Sequence, residues 1–488
     1  MQKTLLILLL FIISTISIAQ DKEDDKEDDK KDDKKKKEKT YSEIIDDSYK
    51  TDEGLFKVHS KKDKFLYEIS SDLLGKEMLM VTRIAKTANG IGYGGQKINS
   101  QVLRWQKKHD KILLRIVSYE NVASDTLPIS KSVKNSNFEP VLYSFDIKPY
   151  NPSDSSVVID VAPLFTTDVK ALGFPQYRRK SLKITSLDKK RSFIESIKSF
   201  PINIEARSVL TYNSSEPPSL RNSQTISLEI NNSMLLLPEN KMQPRLRDQR
   251  VGFFSQSQTD YGLDEQKAKS TTYIRRWKLV PKDIEAYNRG ELVEPIKPII
   301  YYIDPSTPEK WRKYLKQGVD DWQVAFEAAG FKNAIIGKYP LTEEEDPDWT
   351  PEDARYSVMR YYASDIQNAY GPHTADPRTG EILESDIGWY HNVMNLLRNW
   401  YMIQTAAVNE TSRDVKFDDE VMGQLIRFVS AHEVGHTIGL QHNMGSSSAY
   451  PVDSLRSPSF TSSHGVAPSI MDYARFNYIA QPGDKGVA

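Results

Sequence analysis

Between residues 102 and 279 apolar and polar positions alternate in short bursts, at 111–118, 141–147, 157–161, 202–210 and 225–237, parted by clusters of Asn, Ser, Pro and Gly. A period of two with β-branched enrichment predicts half-buried strands, and their spacing predicts a sandwich or a layered antiparallel sheet. Upstream, residues 41–95 read as a small unit of their own. A short helix at 42–48 precedes strand-like stretches at 54–59, 66–69 and 78–84, and a glycine run at 90–95 closes the unit. That run lacks the Lys-Ser/Thr pair and the following helix of a phosphate-binding loop, so it is expected to be a flexible link.

After about residue 295 the period changes. IIYYI at 299–303 reads as a buried strand, and 304–309 as a helix start with a Ser or Thr cap and Pro in the first turn. Trp311, Leu315, Val319, Trp322 and Phe326 then form an apolar helical stripe that ends near Gly330. The acidic run at 343–348 lacks the glycine and ligand spacing of a calcium loop and is expected to be a solvated loop. A strand follows at 355–362, a turn and strand at 376–387, and a long helix at 418–440. The fold class expected is α+β. The boundaries expected are 1–19, 20–40, 41–95, 96–290 and 295–488.

Composition narrows the classes. The 488 residues carry 66 Lys and Arg against 67 Asp and Glu, so no basic footprint for nucleic acid is present. There is no cysteine, which excludes disulfides, thiolate ligands and a cysteine nucleophile. Lys3, the apolar run 5–18 and the small residues at 17–19 have the form of a secretory signal peptide, with Gln20 as the new terminus. Residues 21–39 are an uninterrupted run of Asp, Glu and Lys, expected to be a solvated tether. No other stretch is apolar enough to cross a bilayer, so the expected product is exported: periplasmic, cell-surface or extracellular, with a surface partner as an option.

The chemistry concentrates in SAHEVGHTIGLQHN, residues 430–443. Histidines at i and i+4 of a helix lie on one face, so His432 and His436 can reach one metal ion. Gly439 is the residue able to break the helix and turn the chain back, which returns His442 as a third ligand. Three neutral nitrogens leave a fourth position for water, the arrangement of a catalytic zinc site with one ion. Glu433, beside the first ligand, is placed to take that water's proton.

About thirty residues on come Ser469, Ile470, Met471, Asp472 and Tyr473. The extended histidine motif followed by S-x-M-x-Y resembles the metzincin clan of zinc metalloproteases. The resemblance implies that Met471 forms a methionine turn, an apolar floor under the imidazoles, and that Tyr473 approaches the zinc or steadies an oxyanion. It also implies a mixed sheet and a long active-site helix, with the turn and strand at 376–387 as the edge strand onto which a peptide adds. His373 and His391 flank that strand and are expected at the surface or behind the ligands, and His464 in a loop. Asn443 departs from the Asp, Ser, Glu or Pro that follows the third histidine in the best-known families. With DPRTGEILESDI at 376–387 it resembles instead bacterial exported zinc metalloproteases with uncharacterised amino-terminal domains. That likeness covers most of the chain after the leader, with only the catalytic motifs specific, and it does not supply the substrate. Only fifteen residues follow Tyr473, so an incomplete carboxy-terminal end is expected. Asp248, in an Arg- and Asp-rich stretch at 242–254, is considered as an inhibitory occupant of the metal's open position, and an ion-paired docking loop is preferred.

The reading is an exported zinc metalloendopeptidase acting on peptide or protein substrates. The alternative is a surface glycan- or protein-binding assembly protein with a structural or vestigial metal site.

Overall fold

The computed structural model describes residues 39–487. The signal peptide and most of the charged tether expected at 1–40 lie outside that range. The amino-terminal half is built on an eight-stranded antiparallel sheet. Its centre is β1 (Glu77–Lys86), flanked by β2 (Lys97–Lys108) on one side, with β3 (Asn203–Ser214) and β4 (Thr225–Leu236) on the other, in the order β3-β4-β1-β2. A four-stranded sheet, formed by Lys50–Asp52, Lys57–Lys61, Lys64–Ile69 and Val157–Asp160, packs over one face. Phe56, Tyr67 and Trp105 fill the space between the two sheets in edge-on contacts with ring centroids 5.5 to 6.3 Å apart. Strand pairing runs straight across the boundary expected near residue 95, because β1 from the first stretch pairs with β2 and β4 from the second.

The glycine run at 90–95 does link β1 to β2, but it is anchored. Tyr390 Oη donates to the Gly94 carbonyl at 3.0 Å, and a side chain at Gly95 would press on the Tyr362 hydroxyl.

A hairpin of β5 (Ser255–Asp260) and β6 (Lys269–Ile274) leads into the carboxy-terminal half. There a five-stranded sheet runs in the order β8-β7-β9-β13-β10, from β7 (Ile299–Ile303), β8 (Ile335–Lys338), β9 (Ser357–Tyr362), β10 (Ala369–Tyr370) and β13 (Ile387–Tyr390). The first four are parallel and only β10, at the edge, is antiparallel. Between β10 and β13 lies a small hairpin of β11 (Thr374–Ala375) and β12 (Ile382–Glu384). The expectation that 376–387 supplies the edge strand is therefore corrected. Residues 382–384 pair within the hairpin, Glu381 bridges to Arg276, 387–390 lie inside the sheet, and the edge belongs to 369–370. Two-residue strands carry too little pattern to be read ahead of folding.

Against this sheet pack α1 (Glu309–Asp320), α2 (Val393–Thr405) and α3 (Asp419–Thr437). The predicted stripe is used as expected: Trp311, Leu315 and Val319 are buried, and Trp322 and Phe326 pack at the edge of the same core. The helix itself breaks after Asp320, and a second short helix covers Gln323–Ala328. Helices α1 and α3 approach closely because Gly318 and Gly423 present no side chains to Ser430 and Tyr314. Ser430 Oγ donates to Leu315 O at 2.8 Å and Trp322 Nε1 to Ala431 O at 2.8 Å, which fixes the rotation of α3. The whole is α+β, β-rich first and helical around the second sheet.

Candidate metal centre

Acidic residues in its first turn, Asp419 and Glu420, favour the amino terminus of α3 through the helix dipole. Near the other end His432 and His436 face the same way, their ring centroids 4.9 Å apart. The helix stops at Thr437 and Gly439 takes φ +109°, a conformation that glycine alone adopts freely. A Cβ at Gly439 would also overlap the Arg275 carbonyl oxygen, so the site tolerates no side chain for two separate reasons. The turn brings His442 back, with its Nε2 3.0 Å from His436 Nε2.

The tautomers follow from the acceptors. Carbonyl oxygens can only accept, so His432 Nδ1–H donates to Ile470 O and His436 Nδ1–H donates to Leu440 O, both at 2.8 Å. Their Nε2 atoms are thereby left with lone pairs, and that of His436 is directed at Nε2 of His442. One ligand atom from each of the three rings lies within 4.8 Å of the others. Burial pushes all three imidazoles down, His432 to about 4, so they are neutral at pH 7 as ligands must be. Donor set, tautomers and spacing fit a zinc ion.

Met471 is buried, and its sulfur lies so close to Gly435 that a Cβ there would overlap it. Its carbonyl accepts from Asn443 N at 2.8 Å, which ties the turn to the residue after the third histidine. Asp472 accepts from Ser446 Oγ and Ser447 N, bracing the same loop. Tyr473 is 44% exposed, its ring 4.6 Å from His442 and 5.5 Å from His432.

Glu433 is buried, and desolvation raises its carboxyl to about 7, partly countered by a hydrogen bond from the Gly371 backbone N–H. Gly371 follows directly on the edge strand β10, and a side chain there would overlap the Glu433 carbonyl oxygen. The edge strand and the carboxylate are therefore in contact.

Residues 414–488 match the Met-zincin family model. With the three histidines it identifies a metzincin-type zinc site at the carboxy-terminal end of the described chain. Residues 38–87 and 95–282 match two models described as domains of unknown function. No curated protein and no solved structure matches the chain.

The Met-zincin segment does not stand alone. Phe254, from the second domain of unknown function, donates its N–H to Gly439 O at 2.8 Å, and Gln441 N donates to Gly252 O. Its ring lies 5.8 Å from His436 and 5.3 Å from His373. Trp277 Nε1 donates to Thr437 O at 3.0 Å. These neighbours lie some 160 to 190 positions from the histidines, and nothing in the local pattern marks them. Asp248, considered as an occupant of the metal position, is exposed and pairs with Arg250 at 2.6 Å. His391 is exposed and bonds Tyr361, and His464 ends a short helix at Pro458–His464 instead of lying in a loop. His373 is partly buried, and neither of its ring nitrogens has a partner at close hydrogen-bond distance.

Proposed function

We propose that this protein is an exported zinc endopeptidase. The observation that carries the reading is the convergence of one ring nitrogen from each of His432, His436 and His442 beside a buried Glu433 carboxyl that touches the edge of the sheet. His432, His436 and His442 would hold zinc, which supplies Lewis acidity toward a water and a substrate carbonyl. A substrate strand pairs with the edge at 369–371 and so lies across Glu433. Glu433, its carboxyl poised near neutrality by burial, accepts the proton of the attacking water and passes it to the leaving amine nitrogen. The Tyr473 hydroxyl, beside two of the histidines and half open to solvent, donates to the carbonyl oxygen as charge develops on it. Met471 keeps water from beneath the rings. Export rests on the signal-like residues 1–19.

The test is zinc content and cleavage of a denatured protein by the full chain beside Glu433→Gln. One zinc per chain in both, with cleavage lost at least 10³-fold in the variant, is expected, a loss at the upper part of the range for a general base. Substantial cleavage by the variant would remove Glu433 from its role. Zinc without any cleavage would favour the surface-binding alternative.

A further inference from the structure

Behind the metal centre the two halves enclose a cavity of about 510 Å³. Its floor is the apolar face of the large sheet, with Leu79, Val81 and Val102, and its far wall is the segment 373–377 that continues from the edge strand. Three basic side chains line it: Lys97 from β2, Arg275 from the residue after β6, and His373. None of them forms an ion pair or a side-chain hydrogen bond with another described residue. Arg275 Nε is buried without a partner, and neither His373 ring nitrogen has one at close hydrogen-bond distance, with only the His436 backbone beside the ring.

This is an unusual expense. Buried polar groups are nearly always paired, and charges lacking counter-charges are costlier still. Nearby acids do not answer the need. Glu384 is taken by Arg83 at 2.6 Å, and Glu120, at the rim, pairs with neither cation. Lys97 is exposed at the cavity surface, yet desolvation, with Arg83 and Arg275 adding repulsion, pulls its ammonium down to about 8. Both facts suit a group that lines a deep open cavity, reached by water but not by bulk solvent. Arg275 is held below its ordinary range by desolvation alone.

The position is as telling as the charge. One unbroken stretch of backbone supplies Gly371 against Glu433 and then His373, Thr374, Ala375 and Pro377 along the cavity. A peptide laid along that edge advances about 3.3 Å per residue, so it enters the cavity roughly two to six residues from the bond over Glu433.

We propose that this cavity is a carboxylate-recognising subsite of the cleft, with Arg275 and Lys97 as charged partners and His373 as a hydrogen-bond donor, and that it directs the site toward acidic peptides. The proposal rests on the endopeptidase reading for its substrate. The carboxylate comes either from an Asp or Glu side chain or from a peptide's own carboxyl terminus. The chemistry of recognition is the same: a planar anion on a guanidinium fork with an ammonium beside it.

The experiment uses the full zinc-loaded chain carrying Glu433→Gln, so that peptides bind without being consumed. Dye-labelled decapeptides of one neutral sequence are titrated by anisotropy. One set carries Glu in place of Gln at successive positions with an amidated end, and another carries only Gln with a free carboxyl end. At least one acidic peptide is expected to bind about tenfold more tightly than the neutral amide, and whichever set it comes from identifies the source of the carboxylate. Lys97→Met and Arg275→Gln are each expected to erase that preference. Lys97→Glu, at the exposed mouth, is expected to reverse it in favour of a Lys-containing peptide. Equal binding of acidic and neutral peptides, or a preference that survives both Lys97→Met and Arg275→Gln, overturns the subsite. Cleavage of the neutral peptide by the unsubstituted chain is scored separately. Preference without cleavage removes the endopeptidase reading and leaves the subsite, and cleavage without preference does the reverse.

Discussion

Gly371 shows how much one missing side chain can decide. Its N–H reaches the Glu433 carboxylate, and the absence of a Cβ lets the edge strand pass against the carbonyl of the same residue. Gly371→Ala must push the strand away from the helix. An error of about 1 Å in placing a catalytic group costs on the order of 10²-fold in rate. Gly371→Ala is expected to lose about that much in kcat/KM while still holding one zinc, measured by peptide turnover beside metal analysis, and unchanged turnover would end this account of Gly371. The ligand residues were legible in advance because their chemistry is written in local spacing: His432, His436, Gly439 and His442 define a helix, a break and a return within eleven positions. Gly371 and Phe254 were not, because each matters only through a contact made across more than sixty residues. His373 was noticed, but its want of partners belongs to tertiary structure alone.

At the scale of elements, α3 and its ending carry the site. The helix was expected over 418–440 and is observed over 419–437, and the difference lies in the turn at Gly439. A side chain there faces both a positive φ, worth roughly 1 kcal/mol, and the Arg275 carbonyl. Gly439→Ala should therefore displace His442 and reduce zinc below one per chain with a lowered melting temperature; full retention of zinc at unchanged affinity would contradict it. Long strands were legible as well. The expected 225–237 is observed as Thr225–Leu236, and 299–303 as Ile299–Ile303. The edge strand was misplaced, since Ala369–Tyr370 is too short for alternation to show, and the better-patterned 382–384 drew the assignment.

For the molecule as a whole, the seam between the two halves is polar. Arg83 of β1 meets Glu384 of β12 at 2.6 Å and also donates to Thr374, and Arg207 meets Glu352 at 2.7 Å. Removing one member of a buried pair strands the other, at about 3–5 kcal/mol. Arg83→Met should destabilise the chain by about that amount in chemical denaturation, and Arg83→Met with Glu384→Gln should recover most of it. A single variant as stable as the parent would refute the pairing. Glu205 faces the same seam, and burial with the nearby Glu352 raises it to about 7 from an ordinary 4.5. Below pH 4.5 both folded and unfolded chains hold this proton, so the stability is complete there. Between 4.5 and 7 the unfolded chain ionises and the folded one resists, so stability falls by about 3 kcal/mol and then levels. Glu205→Gln should accordingly narrow the gap between melting temperatures at pH 5 and pH 8, and an unaltered gap would count against the raised pKa. Such couplings escape sequence reading because the partners of a buried charge are chosen by packing.

Phe254 gives the arrangement a historical dimension. Its ring packs against both His436 and His373, yet it belongs to a region whose residues bear no protease signature. Under the proposed subsite, drift in this region changes which peptides are taken while the histidine motif stays the same letter for letter.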